Sequence, residues 1–196
     1  MTTGRMEAFS DGVIAILITV MLLELKVPHG TTWKALGDET PVLLSYVLSF
    51  VYLGIYWNNH HHMLQATERV SGGVLWANLH LLFWLSLVPF STSWMGQNHF
   101  ATIPVSAYGM TLLAAAVAYF TLQTMIVRQA GAQSALARAL GRDWKGKASP
   151  TLYVAGIATA FANRWVGVAF YVLVALLWLV PDRRLESVVQ AHLSNA

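Results

Sequence analysis

The chain has 196 residues, of which 56% are hydrophobic and only 11% are charged, and its formal net charge is +3. A soluble globular domain carries about 25% charged residues, so this composition excludes an ordinary soluble protein and indicates a membrane protein. The absence of cysteine excludes disulfides and cysteine-based metal or redox sites. The basic residues are few and spread among the loops, so we attribute them to membrane orientation and expect no nucleic-acid partner.

The apolar segments predict a single all-α transmembrane domain over residues 1–196. A helix needs about 20 residues to cross the hydrocarbon core, so the chain has room for about six transmembrane helices. In chain order the predicted spans cover residues 9–25, 40–58, 74–94, 103–127 and two short helices within 150–180. Pro89 interrupts the third span, and Asn163 and Arg164 divide the last stretch. Residues 128–147 are predicted to form a basic cytoplasmic linker with a short amphipathic helix.

The positions of Lys and Arg predict the orientation of the chain in the membrane. Six spans place both termini on the same side, and nine basic residues lie on that side. Only Lys26, Lys34 and Arg164 lie on the other side. The positive-inside rule therefore places both termini in the cytoplasm.

A polar group stands at the start of the first predicted span. Asp11 draws attention because an ionisable side chain at membrane depth costs ~3 kcal/mol on insertion scales. One interpretation is a helix cap, in which Ser10 or Asp11 bonds free backbone N–H groups. The other is a polar network that joins the first helix to the end of the second. The donors available there are Trp57, Asn59, His60 and His61. The two interpretations are compatible, and we favour the network.

An apolar stripe follows on the same helix. Ile16, Val20 and Leu23 recur at i, i+4 and i+7, which places them on one face, with Thr19 beside them. Asp11 points roughly 140° away from this stripe. Such a stripe usually contacts lipid or other helices, but bulky aliphatic side chains also constrict pores and gate them by dewetting. Both interpretations stay open from the spacing alone.

Three consecutive histidines, His60 to His62, raise the question of a metal site. Neighbouring residues of a helix point about 100° apart, whereas helical metal sites use the spacing i, i+4. We therefore expect hydrogen-bonding histidines and neither a metal nor another cofactor. The chain has no Gly-rich selectivity-loop sequence, so a carbonyl filter is not expected. It also has no phosphate-binding loop or nucleophile elbow, so an enzyme is not expected. A proton-coupled secondary transporter that uses Asp11 and the histidines is the alternative function.

Several short motifs resemble those of the lysosomal transmembrane potassium-channel family, in particular its single-repeat bacterial members. The first is Arg5-x-x-x-Phe9-Ser10-Asp11, at the head of the first span. The motifs similar to those of the second and third helices are Trp57-x-Asn59-His60-His61, Asn78 and Leu87-Val88-Pro89-Phe90. The resemblance is specific up to about Phe90 and architectural beyond it.

This resemblance implies a homotetrameric, potassium-preferring channel in the plasma membrane of a prokaryote. The first helix of each subunit would line a central pore, and apolar constrictions would select the ion. By position, Ile16 would form the narrowest ring, Thr19 would offer a hydroxyl to the ion, and Val20 and Leu23 would continue the lining. Many relatives are expected to carry a larger aliphatic residue at position 20, so a wider second ring would weaken selectivity. The supporting hydrogen-bond network would comprise Arg5, Ser10, Asp11, Trp57, Asn59, His60 and Asn78.

Overall fold

The computed structural model describes residues 2–67, 70–131 and 144–179, and its regular structure over these ranges is entirely helical. In chain order the helices are α1 (Thr3–Leu23), α2 (Trp33–Asp38), α3 (Thr40–Gln65), α4 (Gly72–Ser86), α5 (Val88–Gln97), α6 (Thr102–Ala130), α7 (Trp144–Ala160) and α8 (Arg164–Leu179). Most of the predicted basic linker falls on residues 132–143, outside the described part of the chain. Its amphipathic helix therefore stays a prediction.

Four of the described helical stretches are long and apolar enough to cross a membrane. They are α1, α3, α6 and the stretch Gly72–Gln97, which combines α4 and α5. The break between α4 and α5 lies at Leu87, close to the predicted interruption, and Pro89 stands in the first turn of α5. A proline lacks the N–H that would bond back to the preceding turn, and it disfavours helical geometry in the residue before it.

The last two predicted spans correspond to a hairpin of shorter helices. The structure divides the chain at residues 161–163, as expected, and the Asn163 side-chain oxygen accepts from the backbone N–H of Trp165 at 2.9 Å. α7 has 17 residues and α8 has 16, and α8 is the more apolar of the two. The structure thus bears out the all-helical prediction, whereas the count of six spans and the cytoplasmic termini stay predictions.

The first helix begins earlier than its apolar segment. α1 begins at Thr3, six residues before the predicted start, so Ser10 and Asp11 lie inside the helix. Its N-cap, Thr2, makes no side-chain capping bond, and the Ser10 hydroxyl donates to the Met6 carbonyl at 2.8 Å. The capping interpretation of Ser10 and Asp11 is therefore wrong. The reason is that hydropathy marks the apolar window, whereas backbone hydrogen bonds continue through the polar turns next to it.

The third helix also extends beyond its apolar segment. It ends at Gln65, so His60 to His62 occupy its last two turns and do not follow the helix as a separate polar run. Three consecutive histidines therefore point in three directions, as the helical spacing requires. This orientation decides which of them reach the neighbouring helices.

The core holds the helices together through aromatic packing and close backbone contact. α6 packs against α4, α5, α7 and α8, while α1 packs against α3, α4 and α5. Tyr52, Tyr108 and Tyr171 are buried, and the Tyr52 hydroxyl donates to the Tyr171 carbonyl at 2.6 Å, which joins α3 to α8. α7 and α8 meet at glycines, since a Cβ on Gly167 would lie 2.8 Å from the Gly156 carbonyl oxygen. Small residues allow this close approach between membrane helices.

Candidate functional site: the first helix and its polar contacts

One face of α1 packs against the rest of the subunit. Its buried residues recur every three or four positions and are Met6, Ser10, Ile14, Leu17 and Met21. This spacing places them on a single face. Since α1 contacts α3, α4 and α5, that face fixes the rotational setting of the helix.

The other face of α1 is left exposed by its own subunit. Ile16 is 60% exposed, Val20 38% and Leu23 83%, and Thr19 is exposed beside them. The Thr19 hydroxyl donates to the Ile16 carbonyl at 2.8 Å. A hydroxyl oxygen has two acceptor lone pairs, so it still has the capacity to coordinate a cation. The structure thus brings the four predicted pore residues onto one uncovered face.

A buried series of hydrogen bonds joins three helices. His60 Nε2 lies 2.7 Å from Asn78 Oδ1, and Asn78 Nδ2 donates to Ser10 Oγ at 3.0 Å. With Ser10 donating to the Met6 carbonyl, the series runs from α3 through α4 and ends on the backbone of α1. The three side chains are 0 to 2% exposed. Because buried polar groups are costly without partners, this series favours one placement of α1.

The other predicted network residues do not join this series. The Asn59 Nδ2 donates to the Ile55 carbonyl on its own helix, and the Asn59 backbone carbonyl accepts from the Tyr119 hydroxyl on α6. Trp57 is 44% exposed, and Arg5 is exposed as well. The Asp11 side-chain Oδ1 is buried and has no hydrogen-bond partner within the described residues. Residues 57, 59 and 60 share one helix, so they point in different directions and only His60 reaches Asn78.

The structure also places Glu7, which the sequence analysis did not select, next to His61. His61 Nδ1 lies 2.7 Å from Glu7 Oε1, which links α3 to α1. Asp11 joins this pair, because one ligand atom of each residue lies within 4.8 Å of the others. The sequence contains a pattern that could have indicated this cluster, since Glu7 and Asp11 stand at i and i+4 on one face of a helix. The sequence analysis applied that spacing to the histidines alone.

Known proteins share this sequence and this fold. Residues 5–89 match the family described as endosomal/lysosomal potassium channel TMEM175. A protein named as a potassium channel from Chryseobacterium sp. (strain P1-3) is 53% identical over 186 residues, which cover 95% of this chain and 97% of the relative. Another, from Chamaesiphon minutus, is 31% identical over 185 residues, which cover 86% of this chain and 90% of the relative.

A solved structure of a similar protein has the same fold. The crystal structure of a lysosomal potassium-selective channel TMEM175 homolog from Chamaesiphon minutus matches with a TM-score of 0.81 at 28% identity. The match covers 92% of this chain and 97% of that one. The fold and the relatives together define a membrane ion channel and not an enzyme. The chain belongs to the TMEM175 family, which confirms the resemblance found in its sequence.

Proposed function

We propose that the chain forms a homotetrameric, passive cation channel that prefers potassium, in the plasma membrane of a prokaryote. α1 of each subunit lines a central pore, and both termini lie in the cytoplasm. Potassium is the permeant ion, and the relatives named as potassium channels support this choice. The single domain over residues 1–196 is part of the same proposal.

The uncovered face of α1 carries the proposal. Ile16, Val20 and Leu23 are large apolar residues exposed on the helix whose opposite face is packed. One subunit presents one such stripe and cannot enclose a conduit, whereas copies related by closed cyclic symmetry can. The number four follows from the family resemblance.

Along this face, apolar and polar groups alternate in a way that suits ion selection. Ile16 provides the narrowest ring and excludes water by its apolar surface, as hydrophobic constrictions do. Thr19 provides a ring of hydroxyl oxygens next to it. Val20 and Leu23 continue the apolar lining, with a wider opening at the smaller Val20.

The end of α1 supplies a negative charge. Glu24 follows the helix directly and is exposed, and Ser93 on α5 donates to its Oε2 at 3.2 Å. This bond directs the carboxylate without neutralising it. Carboxylates near a narrow opening raise the local cation concentration, so a ring of Glu24 side chains supports a cation pathway.

Potassium flux into proteoliposomes, repeated with sodium, tests the proposal. We expect ohmic currents that are carried by potassium in the absence of any proton gradient, and a smaller sodium current. Currents that are equal for the two ions would contradict potassium preference. Saturable flux that depends on a pH gradient would instead support the proton-coupled transporter built on Asp11 and His60 to His62.

A further inference from the structure

A second polar cluster lies between α1 and α3 and has no part in the proposed pore lining. Glu7 and Asp11 occupy successive turns of α1, and His61 faces them from α3. All three side chains are partly buried. The adjoining series of Ser10, Asn78 and His60 uses different atoms and leaves this cluster without a partner from α4.

The geometry of the cluster is well defined by its surroundings. His61 Nδ1 lies 2.7 Å from Glu7 Oε1, with the two side chains 31% and 21% exposed. The Trp57 ring stacks on the His61 ring at 6.0 Å between centroids and 22° between planes. This stacking holds the imidazole with Nδ1 towards α1. One ligand atom each from Glu7, Asp11 and His61 lies within 4.8 Å of the other two.

Within the described residues, His61 is the one basic side chain paired with the carboxylates of the cluster. Two carboxylates face one imidazole, and even a protonated imidazole would neutralise only one of them. Asp11 Oδ1 is buried and has no hydrogen-bond donor within the described residues. A buried carboxylate oxygen without a donor is costly. A divalent cation would balance both carboxylates and give Asp11 Oδ1 a partner.

We propose that Glu7, Asp11 and His61 form a binding site for one divalent transition-metal ion of the zinc type in each subunit. One imidazole nitrogen and two carboxylate oxygens suit zinc, which takes such ligands at about 2.0–2.2 Å and completes its shell with water. Calcium and magnesium prefer shells of six or more oxygens, so an imidazole selects against them. The ion would link α3 with α1, the helix on which Ile16 and Thr19 lie.

The binding measurement uses the purified full chain in detergent, stripped of metal with a chelator and titrated with zinc chloride by calorimetry. We expect about one zinc ion per subunit and a rise in the unfolding temperature with zinc concentration, because a ligand that binds only the folded state stabilises it. Glu7→Gln and His61→Gln should each weaken binding by more than the roughly 10–100-fold that loss of an outer-shell partner causes.

His62→Gln is the matched control, since His62 neighbours His61 but does not belong to the three-residue group. It should bind zinc like the original chain. Unfolding curves of the metal-free variants establish that they are folded. Equal zinc affinity in the original chain, Glu7→Gln and His61→Gln would overturn the proposal, as would equal competition by magnesium. The measurement needs no ion flux, so it stands apart from the test of the channel.

Discussion

The Thr19 hydroxyl donates to the backbone carbonyl of Ile16, 2.8 Å away and one turn earlier on the exposed face of α1. The two side chains are about 60° apart around the helix axis and about 4.5 Å apart along it. A large apolar group and a hydroxyl oxygen therefore follow one another on the same side. In the proposed tetramer they become two successive rings, and the first two predictions separate their roles.

Ile16→Asn should raise ion flux and admit more sodium, because a polar ring holds water where an apolar ring expels it. A barrier lowered by ~1.4 kcal/mol would increase the flux about tenfold. Single-channel currents and reversal potentials in potassium and sodium measure both effects. Leu22→Asn is the matched control, since Leu22 is 53% exposed on the same helix but points about 120° away from Ile16. An unchanged permeability ratio in Ile16→Asn would remove Ile16 from the filter.

Thr19→Val should lower the preference for potassium, because it keeps the shape of the side chain and removes the only side-chain oxygen of the exposed stripe. Thr19→Ser keeps the hydroxyl and should retain most of the preference. A lost interaction of ~1.4 kcal/mol corresponds to a factor of about ten in the permeability ratio. Reversal potentials under bi-ionic conditions give this ratio. If the two variants behave alike, the hydroxyl does not select the ion.

Asn78→Leu should destabilise the subunit, because it leaves both Ser10 and His60 buried without their shared partner. Ser10 keeps its bond to the Met6 carbonyl, whereas the His60 Nε2 loses its partner, and an orphaned buried group costs about 1–3 kcal/mol. Each kcal/mol lowers the unfolding temperature by about 2–4 °C in chains of this size. Thermal unfolding in detergent measures the loss. Asn58→Leu makes the same chemical change at a position for which the described structure gives no side-chain hydrogen bond. It should unfold near the original temperature, and an equal loss in both variants would refute a specific role for Asn78.

Gly167→Ala should loosen the hairpin of α7 and α8. The added Cβ would lie 2.8 Å from the Gly156 carbonyl oxygen, and this backbone atom cannot turn aside. Overpacking of this kind costs about 1–3 kcal/mol. Gly54→Ala is the control, because a Cβ on that helical glycine meets nothing within 4 Å. The unfolding temperature should fall for Gly167→Ala only. An unchanged unfolding temperature in Gly167→Ala would show that α7 and α8 can separate to accommodate the added Cβ without loss of stability.

The sequence predicted the helical class and the main breaks because these depend on local chemistry. Pro89 disturbs the third span through its missing N–H, and Asn163 caps the last described helix through its side-chain oxygen. The faces of α1 were also predictable, because 100° per residue separates Asp11 from Ile16 whatever surrounds them. The four residues of the proposed filter came from this periodicity together with the family resemblance.

The polar contacts were harder to predict because they depend on which helix stands opposite. The motif Trp57-x-Asn59-His60-His61 groups four polar or aromatic side chains in sequence, but α3 is helical throughout and turns them apart. His60 meets Asn78, whereas His61 meets Glu7. The Asn59 side chain bonds to the Ile55 carbonyl of its own helix. These partners are set by the packing of the helices, which local sequence patterns do not determine.

The bond between Ser10 and Asn78 limits how a pore built on α1 would open. Ser10 and Ile16 occupy different faces of one rigid helix, so any turn of α1 about its own axis that withdrew Ile16 would also pull Ser10 away from Asn78. If α1 tilted about Ser10, that bond would be kept. Leu23 lies thirteen residues further along the helix, so it would move further than the residues near Ser10. Opening would then widen the Leu23 end most and leave the Ser10 end nearly still.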